Sequence, residues 1–319
     1  MTTTIRNITL VGGSGRLGST ILSALQKSPQ FDVTVVTRFT STAIFPPSTK
    51  VIKVKDDYPV GEMVAVFRGQ DAVVLSIGFG PWSERSHSSL VEASIQAGVK
   101  RLIASTFDAG VNDEAQKIFP VAETKARIVE ELKRNEASGW SWTAIQCGLC
   151  FEFCIRYNFF QINAANRTAR VMGDGNTKFS CTSLKTIGTA VGSVLKNLDQ
   201  TVNRRVYISN FETSANEILK AYGKAVGVDE WNVTNFDADE AIDDAKKQLL
   251  LSSENLVAMG TLGLAIVVKP GLGGDFKAEG LLDNDLLEIP TLKVDQVVTS
   301  ILKAESKVTK CSEITGTQG

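Results

Sequence analysis

Ile8-Thr9-Leu10-Val11 runs into Gly12-Gly13-Ser14-Gly15-Arg16-Leu17-Gly18, and Ser19-Thr20-Ile21-Leu22 follows. An apolar run ends in a glycine cluster, and a helical pattern begins at once. A nucleotide's pyrophosphate needs this order. The strand aims the chain, the tight turn frees backbone N–H groups, and the helix N-terminus offers partial positive charge to an anion. Gly12 suits a turn that needs positive φ. At Gly15 the missing side chain lets a diphosphate approach the backbone, and Gly18 lets the helix pack closely on the strand. The spacing Gly-x-x-Gly-x-x-Gly is one residue away from the dinucleotide fingerprint Gly-x-Gly-x-x-Gly. Gly12, Gly13, Ser14, Gly15, Arg16, Leu17 and Gly18 are therefore candidate cofactor contacts. An ordinary glycine-rich turn shares the composition, but its position right after the first strand favours the nucleotide.

Working outward, residues 16–28 form an amphipathic helix stopped by Pro29, and residues 31–37 a second, β-branched strand. That strand ends at Arg38. An acidic residue there would bond the ribose 2′-OH and repel a 2′-phosphate, whereas Arg38 offers charge-assisted hydrogen bonds to the phosphate, which selects NADPH over NADH. Strands at 51–55, 71–77, 101–105 and 140–147 alternate with helices at 60–67, 86–97 and 121–134. Ligands in open α/β sheets sit beyond the carboxyl ends of strands. Ser76, Gly78 and Phe79, after the fourth strand, and Phe107, after the fifth, join the cofactor candidates. The alternation predicts an α/β fold, a doubly wound parallel sheet forming an NAD(P)-binding Rossmann domain over residues 1–150.

The second half reads differently. Residues 149–160 are rich in Phe and Cys, a Gly-Asp-Gly-Asn turn stands at 173–176, helices follow at 183–195, 214–226, 237–251 and 291–304, and the apolar run 256–268 reads as a further helix or a pocket lid, core being the commoner role. This predicts a smaller C-terminal α/β substrate domain over 151–304, with a flexible tail at 305–319. A short strand at 205–209 has the option of returning to the main sheet.

The totals exclude several classes. A net charge of −1 gives no electrostatic footprint for nucleic acid or a membrane surface. Five cysteines and one histidine lack the ligands for a zinc site and read as reduced, packed thiols. The polar start without a signal peptide, and an apolar run at 256–268 too short to span a bilayer, place the protein in the cytoplasm. The expected partner is a small-molecule substrate, and a homodimer stays open.

The chemistry must be argued from the site. Short-chain reductases use a Tyr followed four residues later by a Lys. Here Lys125 stands on the helix after the fifth strand, but Val121 occupies the tyrosine position. At this point the chain resembles the isoflavone reductase-like proteins of the NmrA-like atypical short-chain dehydrogenases. Its glycine turn resembles their Gly-Gly-Thr-Gly-Tyr-Ile-Gly. Val99-Lys100-Arg101-Leu102-Ile103-Ala104-Ser105-Thr106-Phe107 resembles their Val-Lys-Arg-Phe-x-Pro-Ser-Glu-Phe. Glu123-Thr124-Lys125-Ala126-Arg127 matches the segment that bears their single catalytic lysine, and Met172 to Asn176 and Asn216 to Leu219 also fit. The resemblance implies an NADPH-dependent reductase with Lys125 as acid/base. Ala104 and Thr106 depart from the plant pattern, and Val129 stands where the plant enzymes carry a basic residue. The style is closer to fungal members, which often serve secondary metabolism on aromatic or polyketide-like substrates. Phe107, Phe151, Phe153 and Tyr157 are candidate walls, although core is the commoner role for each, and Tyr157 is the next proton carrier after Lys125. The family also includes redox-sensing regulators that bind the dinucleotide without turnover, which is the second reading.

Overall fold

Alternation decides what each strand buries. In β1 (Asn7–Val11), Ile8 and Leu10 enter a core with Ile21, Leu22 and Leu25 of helix α1 (Arg16–Gln26), while Val11 enters the core on the other face of the sheet. The computed structural model describes residues 4–78, 83–110, 112–137 and 139–315, with side chains to residue 304. After α1 come β2 (Asp32–Arg38), β3 (Lys50–Val54), α2 (Val60–Phe67), β4 (Ala72–Leu75), α3 (Ser83–Gln96), β5 (Arg101–Ile103), α4 (Asp113–Ile118), α5 (Pro120–Arg134) and β6 (Ser141–Gln146). Then β7 (Leu149–Cys150), α6 (Phe151–Arg156), β8 (Ile162–Asn163), β9 (Thr168–Met172), β10 (Phe179–Thr182) and α7 (Leu184–Lys196) lead to β11 (Arg204–Tyr207).

Seven parallel strands form one sheet in the order β11-β6-β5-β4-β1-β2-β3. The chain reverses direction of travel across the sheet between β1 and β4, so a crevice opens at the carboxyl ends of those two strands. Helices α1 and α7 cover one face, and α2, α3 and α5 supply the core of the other. The α1–α7 contact is close because Gly188 has no side chain; a Cβ there would stand 2.9 Å from the Thr20 carbonyl oxygen.

The strand β11 joins the edge of the main sheet, Tyr207 pairing beside Gln146. Val206 and Ile208 explain the return, since both bury in the α1–α7 core. A buried cation fixes the connection. Arg101, 3% exposed, donates to Ser141 Oγ, Thr143 Oγ1 and Thr201 Oγ1 at 2.9 Å and to the Leu198 carbonyl at 2.8 Å.

Of the rest, β12 (Phe211–Thr213), α8 (Ala215–Val226), β13 (Asn232–Phe236), α9 (Ala238–Leu251), α10 (Leu256–Val268) and α12 (Val294–Thr315) build a smaller α/β layer, while α11 (Asn284–Leu287) buries Leu287 in the α1–α7 core. Two three-stranded sheets, β12-β10-β7 and β13-β9-β8, share a core with Phe151, Phe179 and Leu262. Local chemistry sets the helix starts: Ser214 accepts the Glu217 N–H, Asp237 those of Asp239 and Glu240, and Asn255 those of Val257 and Ala258. The last helix corrects an expectation. It continues to Thr315 rather than ending at Ala304, because residues 305–315 contain neither Gly nor Pro to stop it. No described helix is long and apolar enough to cross a membrane.

Candidate active site

Three of the four turn glycines are demanded by the protein's own packing. Gly12 has φ +85°, and a Cβ on it would meet the Ser76 carbonyl oxygen at 2.3 Å. A Cβ on Gly13 would meet Val35 Cγ1 at 2.9 Å, and one on Gly18 the Gly12 carbonyl oxygen at 2.1 Å. Gly15 differs. Its φ of −67° and ψ of 164° suit any residue, and a Cβ there would touch only the Gly12 carbonyl oxygen, at 3.5 Å. Space is kept open at Gly15 that no described residue fills. Gly15 also begins α1, whose N-terminus has no side-chain cap and no acidic residue in its first turn. Open space above uncapped N–H groups fits a diphosphate.

The other cofactor candidates sit around this turn. Ser76 closes the crevice floor, its N–H donating to the Val11 carbonyl at 2.9 Å. Arg38 lies exposed at the end of β2, where its charge acts on Asp56 and Tyr58. Gly78 is exposed beyond β4, and Phe79 lies outside the described residues. Ser105 Oγ donates to the Ile77 carbonyl at 2.9 Å and ties the ends of β4 and β5 together. Ser14 is exposed, and Leu17 packs half-buried on the α1 core. The Arg16 guanidinium lies 5.4 Å from the centre of the Phe153 ring and 5.7 Å from that of Tyr157.

Phe153 leads to a cavity of about 350 Å³. Helix α5 supplies one wall through Val121, Ala122, Lys125 and Val129. The buried stripe of α5 runs Ala122, Lys125, Ile128, Val129 and Leu132. A lysine on an apolar stripe must go into the protein, and Lys125 is 8% exposed. Its Nζ donates to the Phe107 carbonyl at 3.1 Å. Burial lowers its pKa from the ordinary lysine range, against the pull of Asp108, Cys147 and Cys150. Arg127, on the other side of the helix, is held at the surface by Glu84 and Glu123.

Phe107, Phe119, Phe153, Phe159, Met259 and Leu264 give the cavity its apolar lining. Phe107 and Phe153 thus stand where an aromatic wall was expected. Phe151 does not: it is fully buried in the core, edge-on to Phe211. Tyr157 is 41% exposed and stacks between Phe153 and Phe159 outside the cavity lining. The phenol that lines the cavity is Tyr207. Asp108, Gln146, Arg205 and Tyr207 escaped the sequence reading: Arg205 and Tyr207 reach the site only through β11 pairing with β6, and Asp108 bridges to Gln146 at the end of β6. Burial raises the Asp108 carboxyl, with Lys125 opposing. Cys150 and Cys154 also line the cavity. Burial pushes the Cys154 thiol up to about 12 and Cys150 well above its usual value, so both are neutral thiols rather than nucleophiles. Among the described residues no group of three His, Cys, Asp or Glu could hold a metal ion.

A dinucleotide-type turn at the head of a parallel sheet, with a buried lysine beside an apolar cavity, defines an oxidoreductase of the short-chain reductase type. More narrowly, the chain belongs to the NmrA-like family, which it matches over residues 4–237. It is 34% identical over 298 residues to the oxidoreductase aprR of Aspergillus flavus, covering 93% of this chain and 98% of that one. Among solved structures, isoflavone reductase shares the fold at a TM-score of 0.71 and 18% identity, with 93% of this chain and 99% of that one covered. The leucoanthocyanidin reductase–NADPH complex of Vitis vinifera does so at 0.71 and 17%, again covering 93% and 99%.

Proposed function

We propose that the protein is an NADPH-dependent reductase acting on a small aromatic or polyketide-like carbonyl, enone or ether, with Lys125 as its acid/base group and a role in secondary metabolism. The observation that carries this reading is Lys125, buried on the α5 stripe and facing an apolar cavity. The turn at Gly12–Gly18 would hold the diphosphate and Arg38 the 2′-phosphate. NADPH, when bound, supplies a hydride to the substrate. Lys125 would hold a proton on Nζ and deliver it to the substrate oxygen where negative charge develops. Its lowered pKa makes that proton easier to give, and the Phe107 carbonyl aims the ammonium. The apolar walls exclude water from the reacting atoms. The free thiols suit a reducing, cytoplasmic setting.

The test is NADPH oxidation by the wild-type protein against a panel of aryl ketones, aryl enones and cyclic benzylic ethers, each with and without a ring carboxylate, followed at the nicotinamide absorbance. Substrate-dependent oxidation supports the reductase. Tight NADPH binding with no turnover on any member of the panel would move the assignment to the dinucleotide-binding regulator.

A further inference from the structure

One wall of the cavity is polar, and hydride transfer with Lys125 as proton donor leaves it without a task. Side chains alternate across a strand. On β11, Val206 enters the α1–α7 core, so Arg205 and Tyr207 point to the opposite face, where α5 and Lys125 lie. On β6, Ile145 enters the same core as Val206, so Gln146 points with Arg205 and Tyr207 and stands beside Tyr207 in register. All three line the cavity. Gln146 is 2% exposed, yet its amide makes no hydrogen bond to any described residue. The half-buried Arg205 guanidinium likewise makes no hydrogen bond or ion pair with a described residue. The carboxyls it acts on from a distance are Asp108 and Glu130. Donors that line a cavity and have no protein partner are free to pair with a ligand there.

We infer that Gln146, Arg205 and Tyr207 form a carboxylate-binding subsite, so that the substrate is a ring-bearing organic acid. A guanidinium fork meets a carboxylate with two parallel charge-assisted bonds, which an amide or ester cannot match. The Gln146 NH₂ and the Tyr207 hydroxyl each add a donor. Lys125 and Arg205 bring two positive charges to the cavity against the single carboxylate of Asp108, which favours an anionic guest. Phe119, Phe159, Met259 and Leu264 accept the ring body. The acid group then lies on the sheet wall, and the reducible group lies toward Lys125. This deepens the reductase reading and rests on it for the orientation of the substrate.

The test uses 1-naphthoate and its neutral isostere 1-naphthamide, titrated calorimetrically into the full-length protein with and without saturating NADP⁺. The wild type should bind naphthoate about ten- to a hundredfold more tightly than naphthamide, the worth of a hydrogen-bonded charge. In Arg205→Gln that preference should vanish, and in Arg205→Lys part of it should return. NADPH titration of each variant reports whether it is folded. Equal wild-type affinities for the two ligands, no saturable naphthoate binding, or a preference that persists in Arg205→Gln would each overturn the subsite. The wild-type comparison stands even if a variant fails to fold. A protein that prefers naphthoate but binds no NADPH keeps the subsite and loses the proposed function. One that oxidises NADPH with neutral ketones but treats the two ligands alike does the reverse.

Discussion

Replacing Gly15 with valine separates binding from folding, because the four glycines of the turn are there for different reasons. At Gly15 the backbone is extended, and a new Cβ makes one ordinary contact, at 3.5 Å. The variant should therefore lose less than about 1 kcal/mol of stability. At Gly18 the new atom would lie 2.1 Å from a backbone oxygen that no rotamer can move. Gly18→Ala should cost about 3 kcal/mol or more. The branched side chain of Gly15→Val would stand over the first turn of α1 and deny its N–H groups to the diphosphate. Losing one or two hydrogen bonds to a charged group costs about 1.5–3 kcal/mol each, or roughly 10–10⁴-fold in affinity. The assay pairs fluorescence titration of NADPH with thermal unfolding. The expected result for Gly15→Val is a near-normal melting temperature and little cofactor binding. A folded Gly15→Val that binds NADPH as the wild type does would place the diphosphate elsewhere and refute the reasoning.

Two further outcomes follow from single residues. Wild-type protein should bind NADPH about ten- to a hundredfold more tightly than NADH, and Arg38→Asp should reverse the order; equal dissociation constants in the wild type would contradict the role of Arg38. His87, the one histidine of the chain, is fully buried with neither ring nitrogen hydrogen-bonded, and burial pushes its pKa down to about 4 from 6.5. Between those values the unfolded chain binds the proton and the folded one does not, so stability is full above pH 6.5 and falls as the pH drops through that window. The His87 contribution to this loss is roughly 2 kcal/mol between pH 7 and pH 5. Urea midpoints should show His87→Leu losing correspondingly less over that interval, and parallel curves for the two proteins would contradict it.

The main sheet was legible because its signals are local. Each strand is a short apolar run, each helix has a start and a stop, and Arg38 marks a strand end by itself. Lys125 was legible through its place after the fifth strand and through the resemblance of Glu123 to Arg127; the buried stripe 122-125-129-132 that carries it inward appears only in the structure. The polar wall was not. Gln146 and Arg205 are 59 residues apart, and only the pairing of β11 with β6 brings them to one cavity. Phe151 and Phe153 look alike in sequence, and their fates differ because α6 turns one into the core and the other into the cavity. The end of α12 was misplaced because polar composition was read as fraying, although nothing in residues 305–315 breaks a helix.

Single-turnover hydride transfer in wild type and Lys125→Met, with whichever panel substrate oxidises NADPH, tests the central claim. Methionine fills the buried stripe without a titrating group, so the fold should persist. NADPH affinity should stay within about tenfold, since the diphosphate and Arg38 contacts dominate it. The transfer rate should fall by about 10²–10⁴, the usual worth of general acid–base catalysis. In the wild type the rate should fall as the pH rises through the lowered pKa of Lys125, and the variant should lose that limb of the profile. A Lys125→Met protein that transfers hydride at the wild-type rate, with the pH profile intact, would contradict the account.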